Sequence, residues 1–148
     1  MIGALTIGSQ LVPEQVGAVS TDALVPYLEQ VGDDNPLHRD PAVAVNAGLV
    51  GIPIPGQLLL SVMERYAKAR TEGYALQRIT VQFVSPVFTE KPFDLTGRVV
   101  AQHEAERVLV LRLQMHQNGE RSVVGEARVS LHGTKENWWS LGGTPENP

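Results

Sequence analysis

Residues 31–40, VGDDNPLHRD, bring together the side chains that proton transfer requires. They contain two adjacent acids, Asp33 and Asp34, and one imidazole, His38. Pro36 disfavours helical geometry in the residue before it, so the segment is predicted to form a defined turn. A carboxylate and an imidazole on a rigid turn can hold one water molecule between them, as general acid–base catalysis requires. The alternative is a solvated loop in which the acids only form the turn and the histidine lies at the surface.

The composition is that of a globular protein. The chain has 148 residues, of which 43% are hydrophobic, and we expect one domain over residues 1–148 with an irregular tail over 133–148. The net charge of −4 gives no reason to expect nucleic acid as a partner. The chain has no cysteine, which excludes a disulfide framework and thiol chemistry. No signal peptide and no apolar run of about 20 residues is visible, so we expect a cytoplasmic protein without a membrane span.

Helix signals lie on both sides of the turn. Before it, residues 21–30 (TDALVPYLEQ) form a predicted short helix whose N-cap falls within residues 20–22. After it, Asp40 and Pro41 have the residue types of an N-cap and a first helical position, and the helix that they open should stop at Gly48.

The strongest helix signal is in residues 56–73, GQLLLSVMERYAKARTEG, after a connector rich in proline and glycine. Its first two turns have almost no polar side, which is typical of a buried helix. From there the hydrophobic period changes to two, which predicts strands. Asn118-Gly119 is a strong hairpin signal between two of them. The segment at residues 4–20, with Pro13, predicts one or two short edge strands.

A sheet with one apolar face must bury it, and the apolar helix is the available partner. The predicted fold class is therefore α+β: a curved antiparallel β-sheet wrapped around a central buried α-helix, which is called a hot-dog fold. Such a sheet has open edges. We expect a homodimer, as in related folds that pair two sheets around a two-fold axis. Trp138 and Trp139 are expected to pack the tail or to form a subunit contact.

The turn also carries a family resemblance. Asp33, Asn35, Pro36 and His38 match the pattern Asp-x-Asn-Pro-x-His, and the chain resembles the MaoC-like dehydratases, the family of (R)-specific enoyl-CoA hydratases. The resemblance extends from the first helix to about residue 133. It implies that trans-2-enoyl and (R)-3-hydroxyacyl thioesters of coenzyme A or an acyl carrier protein are interconverted, with no metal or redox cofactor. It also implies that the aspartate and the histidine are the catalytic pair and that the asparagine orients the turn or the water.

The chain departs from the family pattern at three positions. Gly48 and Gly56 have the family's spacing, but Val31 stands where the family often has serine. Pro55 and Gln57 flank the second glycine where the family usually has histidine and methionine. These changes concern substrate shape and the start of the helix, and they leave the acid–base pair in place.

Gly56 is the candidate for stabilising the enolate oxygen of the reaction. A helix N-terminus presents unpaired N–H groups and a positive dipole end, and glycine lets a thioester carbonyl come close. The alternative is that this glycine only forms a tight turn. Pro55 has no N–H and is expected to set the backbone direction. We expect Asn35, Pro55, Gly56 and Gln57 to be the substrate-binding positions.

Two further functions remain open. Some hot-dog thioesterases place a carboxylate on the central helix, and Glu64 is positioned to be that group; otherwise it is a polar residue where the helix meets solvent. The second alternative is a MaoC-like protein recruited to cyclise or bind an unusual acyl or polyketide intermediate, which the three departures favour. His103, His116 and His132 are predicted on the polar faces of strands, without the spacing of metal ligands.

Overall fold

The computed structural model describes residues 4–131, so the predictions for the tail, including Trp138 and Trp139, lie outside the described residues. These residues form one five-stranded sheet, three α-helices and a short 3₁₀ turn. The elements are β1 (Gln10–Val16), α1 (Thr21–Val31), the 3₁₀ turn (Pro36–His38), α2 (Pro41–Asn46), α3 (Gly56–Arg70), β2 (Tyr74–Phe83), β3 (Phe93–His103), β4 (Val108–Gln117) and β5 (Glu120–Leu131). The strand order is β1-β3-β4-β5-β2, and all neighbouring strands are antiparallel. This is the predicted hot-dog fold. None of the helices in this part of the chain is long and apolar enough to cross a membrane.

The core lies between α3 and the sheet. Leu59 and Met63 of α3 are almost completely buried there, and burial of such a side chain contributes about 1.5–3 kcal/mol. Gly125 of β5 lies directly beneath Met63, where a Cβ would collide with the sulfur atom. A strand glycine thus lets the helix approach the sheet closely.

The burial of α3 differs from the expectation of a helix covered on every side. Its buried residues are Leu59, Met63, Tyr66 and Ala67. Leu58, Leu60 and Val62 are only partly buried. The physical reason is that a single sheet covers a single face of the helix, so the remaining apolar side chains are partly open in one chain.

A second, smaller core holds the helices that flank the turn. Leu24 and Leu28 of α1 pack with Ala44 of α2 and with Ile52 of the connector. The helix α1 begins at the predicted cap, where the hydroxyl of Ser20 accepts a hydrogen bond from the N–H of Ala23 at 3.1 Å. This packing fixes the end of α1, from which the turn departs.

The hairpin and edge-strand predictions are confirmed. Asn118 and Gly119 join β4 to β5 with φ values of 52° and 75°, the left-handed conformation that the predicted turn requires. Among the described residues the strand β1 pairs with β3 alone, and its register shifts between Leu11 and Glu14, around Pro13. A proline at a bulge of an edge strand costs no ladder hydrogen bond.

Candidate active site

Asp33 leaves the C-terminus of α1 in a defined direction. Gly32 adopts the left-handed conformation with φ 69°, and the N–H of Asp33 donates to the carbonyl of Leu28 at 2.9 Å. Both features are those of a glycine-terminated helix. The carboxylate Oδ1 then accepts the N–H of Asn35 at 3.0 Å, so that Oδ2 remains for other partners. Asp34, beside it, is exposed to solvent.

Asn35 orients the turn. Its side-chain oxygen accepts the N–H of Leu37 at 3.0 Å and caps the 3₁₀ turn, in which Pro36 is the first residue. The turn carries His38 back towards Asp33. Of the two roles expected for the asparagine, the structure therefore supports orientation of the turn, and its side chain lines neither of the clefts described below.

His38 is held in one tautomer by a backbone carbonyl. Its Nδ1 lies 2.8 Å from the carbonyl oxygen of Pro53. Since a carbonyl oxygen can only accept, Nδ1 carries the proton in the neutral ring. The other ring nitrogen, Nε2, is then an acceptor, which is the form that a general base needs.

Asp33 and His38 face each other at a distance that suits a shared ligand. The Oδ2 atom lies 4.0 Å from Nε2, and the two side chains are 29% and 14% exposed. This distance is too long for a direct hydrogen bond. A water molecule about 2.8 Å from each atom would fit between them and would donate to both. The sequence prediction that the turn brings these two groups together agrees with this geometry.

Arg39 fixes the turn from the side, a contact that the sequence analysis missed. Its Nε and Nη2 atoms donate to the backbone carbonyl of Asp33 at 3.3 and 2.9 Å. Two donors from one planar guanidinium define the direction of that carbonyl. No local sequence signal predicts this contact, because an arginine beside a turn can equally extend into solvent.

The N-terminus of α3 lies beside the acid–base pair. Pro55 is the N-cap, no side chain in residues 4–131 caps the helix, and the N–H groups of Leu58 and Leu59 both donate to the Pro55 carbonyl. The N–H groups of Gly56 and Gln57 precede them, and a helix offers no internal partner to its first N–H groups. They are therefore available as donors.

Gly56 is explained by a close contact and not by a turn. It is the first residue of α3 and has no left-handed φ. A Cβ at this position would lie 2.9 Å from the Cζ atom of Phe83. The tight-turn alternative is thus not needed, because the Phe83 ring lies where a side chain at this position would go, and a larger residue would have to displace the ring.

Two clefts meet at His38 and Gly56. One has a volume of about 470 Å³ and mainly apolar walls, which include Leu37, Leu49, Ile54, Leu59, Phe83 and Val87. The other has a volume of about 310 Å³, and its walls include Tyr27, Val31, Asp33, Pro55 and Gln57. His38 and the helix N-terminus therefore stand between an apolar cleft and a more polar one, and Asp33 lines the polar one.

Residues 84–91, called the strap from here on, hold the carbonyl that binds His38. The N–H of Ile54 donates to Val87 at 2.7 Å, and the N–H of Thr89 donates to Ile52 at 2.9 Å. Between these bonds Pro53 pairs with Phe88 as an isolated antiparallel bridge. The strap thus fixes Pro53, the partner of the histidine.

The other candidate residues lie away from this point. Glu64 forms an ion pair with Lys68 on α3 and lines neither cleft. His103 and His116 lie in β3 and β4, and His132 lies outside the described residues. Within residues 4–131 no three side chains of the types that bind metal ions gather together. That the protein uses no metal stays a prediction.

The fold and the site together define a hot-dog protein in which an imidazole and a helix N-terminus line an apolar cleft, with a carboxylate 4.0 Å from the imidazole. The family model described as the MaoC like domain matches residues 4–121. The chain therefore belongs to the MaoC-like family of dehydratases and hydratases.

Individual relatives agree with this family. The 3-hydroxyacyl-[acyl-carrier-protein] dehydratase FERN, mitochondrial, of Solanum lycopersicum is 28% identical over 130 residues, which cover 86% of this chain and 78% of the relative. The (R)-hydratase of A. caviae involved in PHA biosynthesis is 23% identical, with a TM-score of 0.76 over 88% of this chain and 99% of that chain. A chain of the ChsH1–ChsH2 complex of Mycobacterium tuberculosis is 15% identical, with a TM-score of 0.75 over 86% of this chain and 98% of that chain. The two structures share the fold.

Proposed function

We propose that this protein interconverts trans-2-enoyl thioesters and (R)-3-hydroxyacyl thioesters by acid–base catalysis, with Asp33 and His38 as the reacting pair. The observation that carries the proposal is the 4.0 Å spacing of Oδ2 and Nε2, with His38 lining both the apolar and the polar cleft. The relative from Solanum lycopersicum, named a 3-hydroxyacyl-[acyl-carrier-protein] dehydratase, supports the reaction class.

The pair supplies both proton transfers. In the hydration direction, a water molecule between the two side chains gives one proton to the pair as its oxygen bonds to the β-carbon of the enoyl group. The electrons of the double bond move into the thioester and form an enolate. The pair then returns one proton to the α-carbon, so that one water is added and the enzyme is restored. Dehydration is the reverse of these steps.

The N-terminus of α3 stabilises the enolate. The N–H of Gly56 and the positive end of the helix dipole face a negative oxygen at the thioester carbonyl in this proposal. Donors of this kind contribute roughly 3–4 kcal/mol to a transition state. Pro55 sets the direction of the first turn, and Gln57 offers an amide in the polar cleft to the thioester or its carrier.

The apolar cleft receives the acyl chain, and the polar cleft faces the carrier. The carrier is coenzyme A or an acyl carrier protein, and the printed name of the Solanum lycopersicum relative supports the second. We expect the protein to act in the cytoplasm. That relative is named mitochondrial, and cell fractionation distinguishes the two locations.

Spectrophotometry of the purified protein tests the reaction. Crotonyl-CoA, longer enoyl-CoA analogues and carrier-protein thioesters should each be offered without added metal, and the enoyl-thioester absorbance should fall with at least one of them. A variant with both Asp33→Asn and His38→Ala serves as the inactive control. Absence of turnover across the whole panel would overturn the proposal.

A second candidate is a MaoC-like protein that cyclises or binds an unusual acyl or polyketide intermediate. The observation that favours it is that Val31, Pro55 and Gln57, the three departures from the family pattern, all line the polar cleft. Failure with simple enoyl thioesters, together with binding of a larger or polar acyl thioester, would select this candidate. The thioesterase alternative has no such support, because Glu64 lies outside both clefts.

We further propose that the active unit is a homodimer. In residues 4–131 the strands β1 and β2 are the edges of the sheet and have no further strand beside them. Phe83 and Val84, at the end of β2, are 51% and 54% exposed although they line the apolar cleft. A second copy against this edge would cover them and complete the cleft.

A further inference from the structure

Buried polar side chains are concentrated at the strap. In residues 4–131 the buried polar residues are Thr71, Thr89, Gln117 and Ser122. Thr89 belongs to the strap, and the hydroxyl of Ser122 accepts a hydrogen bond from the hydroxyl of Ser85 in the strap at 3.2 Å. The backbone carbonyl of Ser122 also accepts the N–H groups of the first two strap residues at 2.8 and 3.1 Å. Burying a polar group costs free energy unless its hydrogen bonds are satisfied. With Gln117, whose contacts are described next, three of these four residues belong to the strap or bind it.

Gln117 makes the most complete contact with the strap. Its Oε1 accepts the N–H of Phe88 at 2.8 Å, and its Nε2 donates to the carbonyls of Phe88 and Lys91 at 2.9 and 3.3 Å. The amide thus binds both backbone groups of Phe88, as a neighbouring strand would. Since Gln117 is 5% exposed at the end of β4, water cannot easily replace it.

A continuous set of hydrogen bonds joins this amide to the imidazole. Gln117 accepts the N–H of Phe88, and the carbonyl of the same peptide group, that of Val87, accepts the N–H of Ile54 at 2.7 Å. The N–H of Ile54 belongs to the same peptide group as the carbonyl of Pro53. The carbonyl of Pro53 accepts the proton on Nδ1 of His38 at 2.8 Å. Two peptide groups, Val87–Phe88 and Pro53–Ile54, therefore connect the glutamine to the histidine.

We propose that Gln117 is a positioning residue for His38: its side-chain amide fixes the Pro53 carbonyl through Phe88 and thereby holds the imidazole in the tautomer that leaves Nε2 free to accept a proton. The inference rests on the proposed function, in which Nε2 faces Asp33 and the reacting water. In the other tautomer Nε2 carries the proton and cannot accept one from water. A displaced carbonyl also changes the direction of the ring.

The matched pair Gln117→Met and Gln114→Met tests the proposal. Methionine keeps the length of glutamine but offers no amide. Gln114 lies on the same strand and is partly exposed, and no hydrogen bond in the described residues joins it to the strap. Gln117→Met should lower kcat for the enoyl thioester about 10- to 100-fold with little change in KM, as displacement of a reacting group does. Gln114→Met should leave both constants unchanged.

Nitrogen-15 NMR of the histidine rings provides a readout that does not depend on turnover. The signals of His38 are assigned with a His38→Gln variant. In the unchanged protein the neutral ring should carry its proton on Nδ1. In Gln117→Met a substantial share of the protonation should move to Nε2, whereas Gln114→Met should keep the original tautomer.

A stability control separates positioning from simple loss of structure. Thr71 is buried, and its hydroxyl donates to Ala67 at 2.7 Å at the far end of α3, so that Thr71→Val removes a buried hydrogen bond away from the site. The comparison requires that Thr71→Val and Gln117→Met have the same melting temperature. If Thr71→Val then lowers kcat as much as Gln117→Met does, the positioning role is wrong.

Two further outcomes are also decisive. Gln117→Glu keeps an oxygen that can accept the N–H of Phe88. This variant is used if Gln117→Met does not fold. It should show the same tautomer shift as Gln117→Met, to a smaller extent. If neither variant changes the tautomer of His38, the proposal is overturned. If the unchanged protein turns over no enoyl thioester, the proposed function fails, and the NMR result alone decides whether Gln117 positions the ring.

Discussion

The ring of Phe83 lies against the backbone of Gly56, so that a Cβ at position 56 would stand 2.9 Å from the Cζ atom of the ring. This contact joins the end of β2 to the first residue of α3. It places one aromatic side chain at the boundary between the apolar cleft and the helix N-terminus. A side chain at position 56 would meet this ring beside the N–H groups that are proposed to bind the thioester carbonyl.

Gly56→Ala should reduce turnover without a large loss of stability. Alanine favours a helix over glycine by about 1 kcal/mol, and the half-exposed Phe83 ring can rotate away. The new methyl group should nevertheless keep the carbonyl from the N–H donors, and kcat should fall about 10-fold or more. Gly51→Ala is the control, because its Cβ would meet Phe88 at an ordinary 3.8 Å. If adding Phe83→Leu to Gly56→Ala restores activity, the displaced ring causes the loss of turnover. That result would contradict the expectation that the methyl group keeps the carbonyl from the N–H donors.

Asp33→Asn and His38→Ala should each lower the rate of hydration about 10²- to 10⁴-fold, because each group moves a proton in the proposed reaction. The asparagine variant retains an oxygen for the N–H of Asn35, so the turn should persist. Asp34→Asn removes the same charge from the exposed neighbour and should have little effect. Rate measurements together with circular dichroism check this prediction, and an unchanged rate in Asp33→Asn contradicts the assignment.

Glu64→Gln should change neither hydration nor stability to a marked degree. The Glu64–Lys68 pair is at the surface, where such pairs contribute about 0–1 kcal/mol. A thiol reagent added to the reaction should detect no release of free coenzyme A from the unchanged protein. Thioester cleavage that disappears in Glu64→Gln would instead favour the thioesterase.

The active species should have twice the mass of the 16.1 kDa chain. The exposed residues at the end of β2 and the open sheet edges provide the physical reason. Light scattering during size-exclusion chromatography, with activity measured across the peak, tests this. Activity that elutes with the mass of one chain would refute the homodimer.

Glu14 should contribute to stability at neutral pH and lose that contribution in acid. The hydrogen bond from Arg65 lowers the pKa of this carboxyl below its ordinary value, and the charges of Arg65 and Arg70 act in the same direction. A carboxyl with a lowered folded-state pKa stabilises the protein above its unfolded-state value, and the effect disappears as the pH falls through the folded-state pKa. Thermal unfolding should therefore separate Glu14→Gln from the unchanged protein at pH 7 and much less at pH 3. An equal difference at both pH values would contradict the prediction.

The local parts of the site could be predicted from sequence because their contacts span few residues. Asn35 caps a turn two residues ahead, and Asp40 accepts the N–H of Ala42 at the start of α2. Such side-chain contacts to nearby backbone depend only on residue type and spacing. The alternation of the strands and the Asn118–Gly119 turn predicted the hot-dog sheet for the same reason.

The sequence by itself therefore determined the elements, the turn that carries Asp33 and His38, and the glycine at the start of α3. The tertiary structure alone decided which carbonyl holds His38, which ring covers Gly56 and which amide supports the strap. The partners in these contacts, Pro53, Phe83 and Gln117, come from a connector, the end of β2 and the end of β4. They meet because strand pairing and the one-sided burial of α3 bring distant segments together, and such contacts leave no periodic or local signal in the sequence.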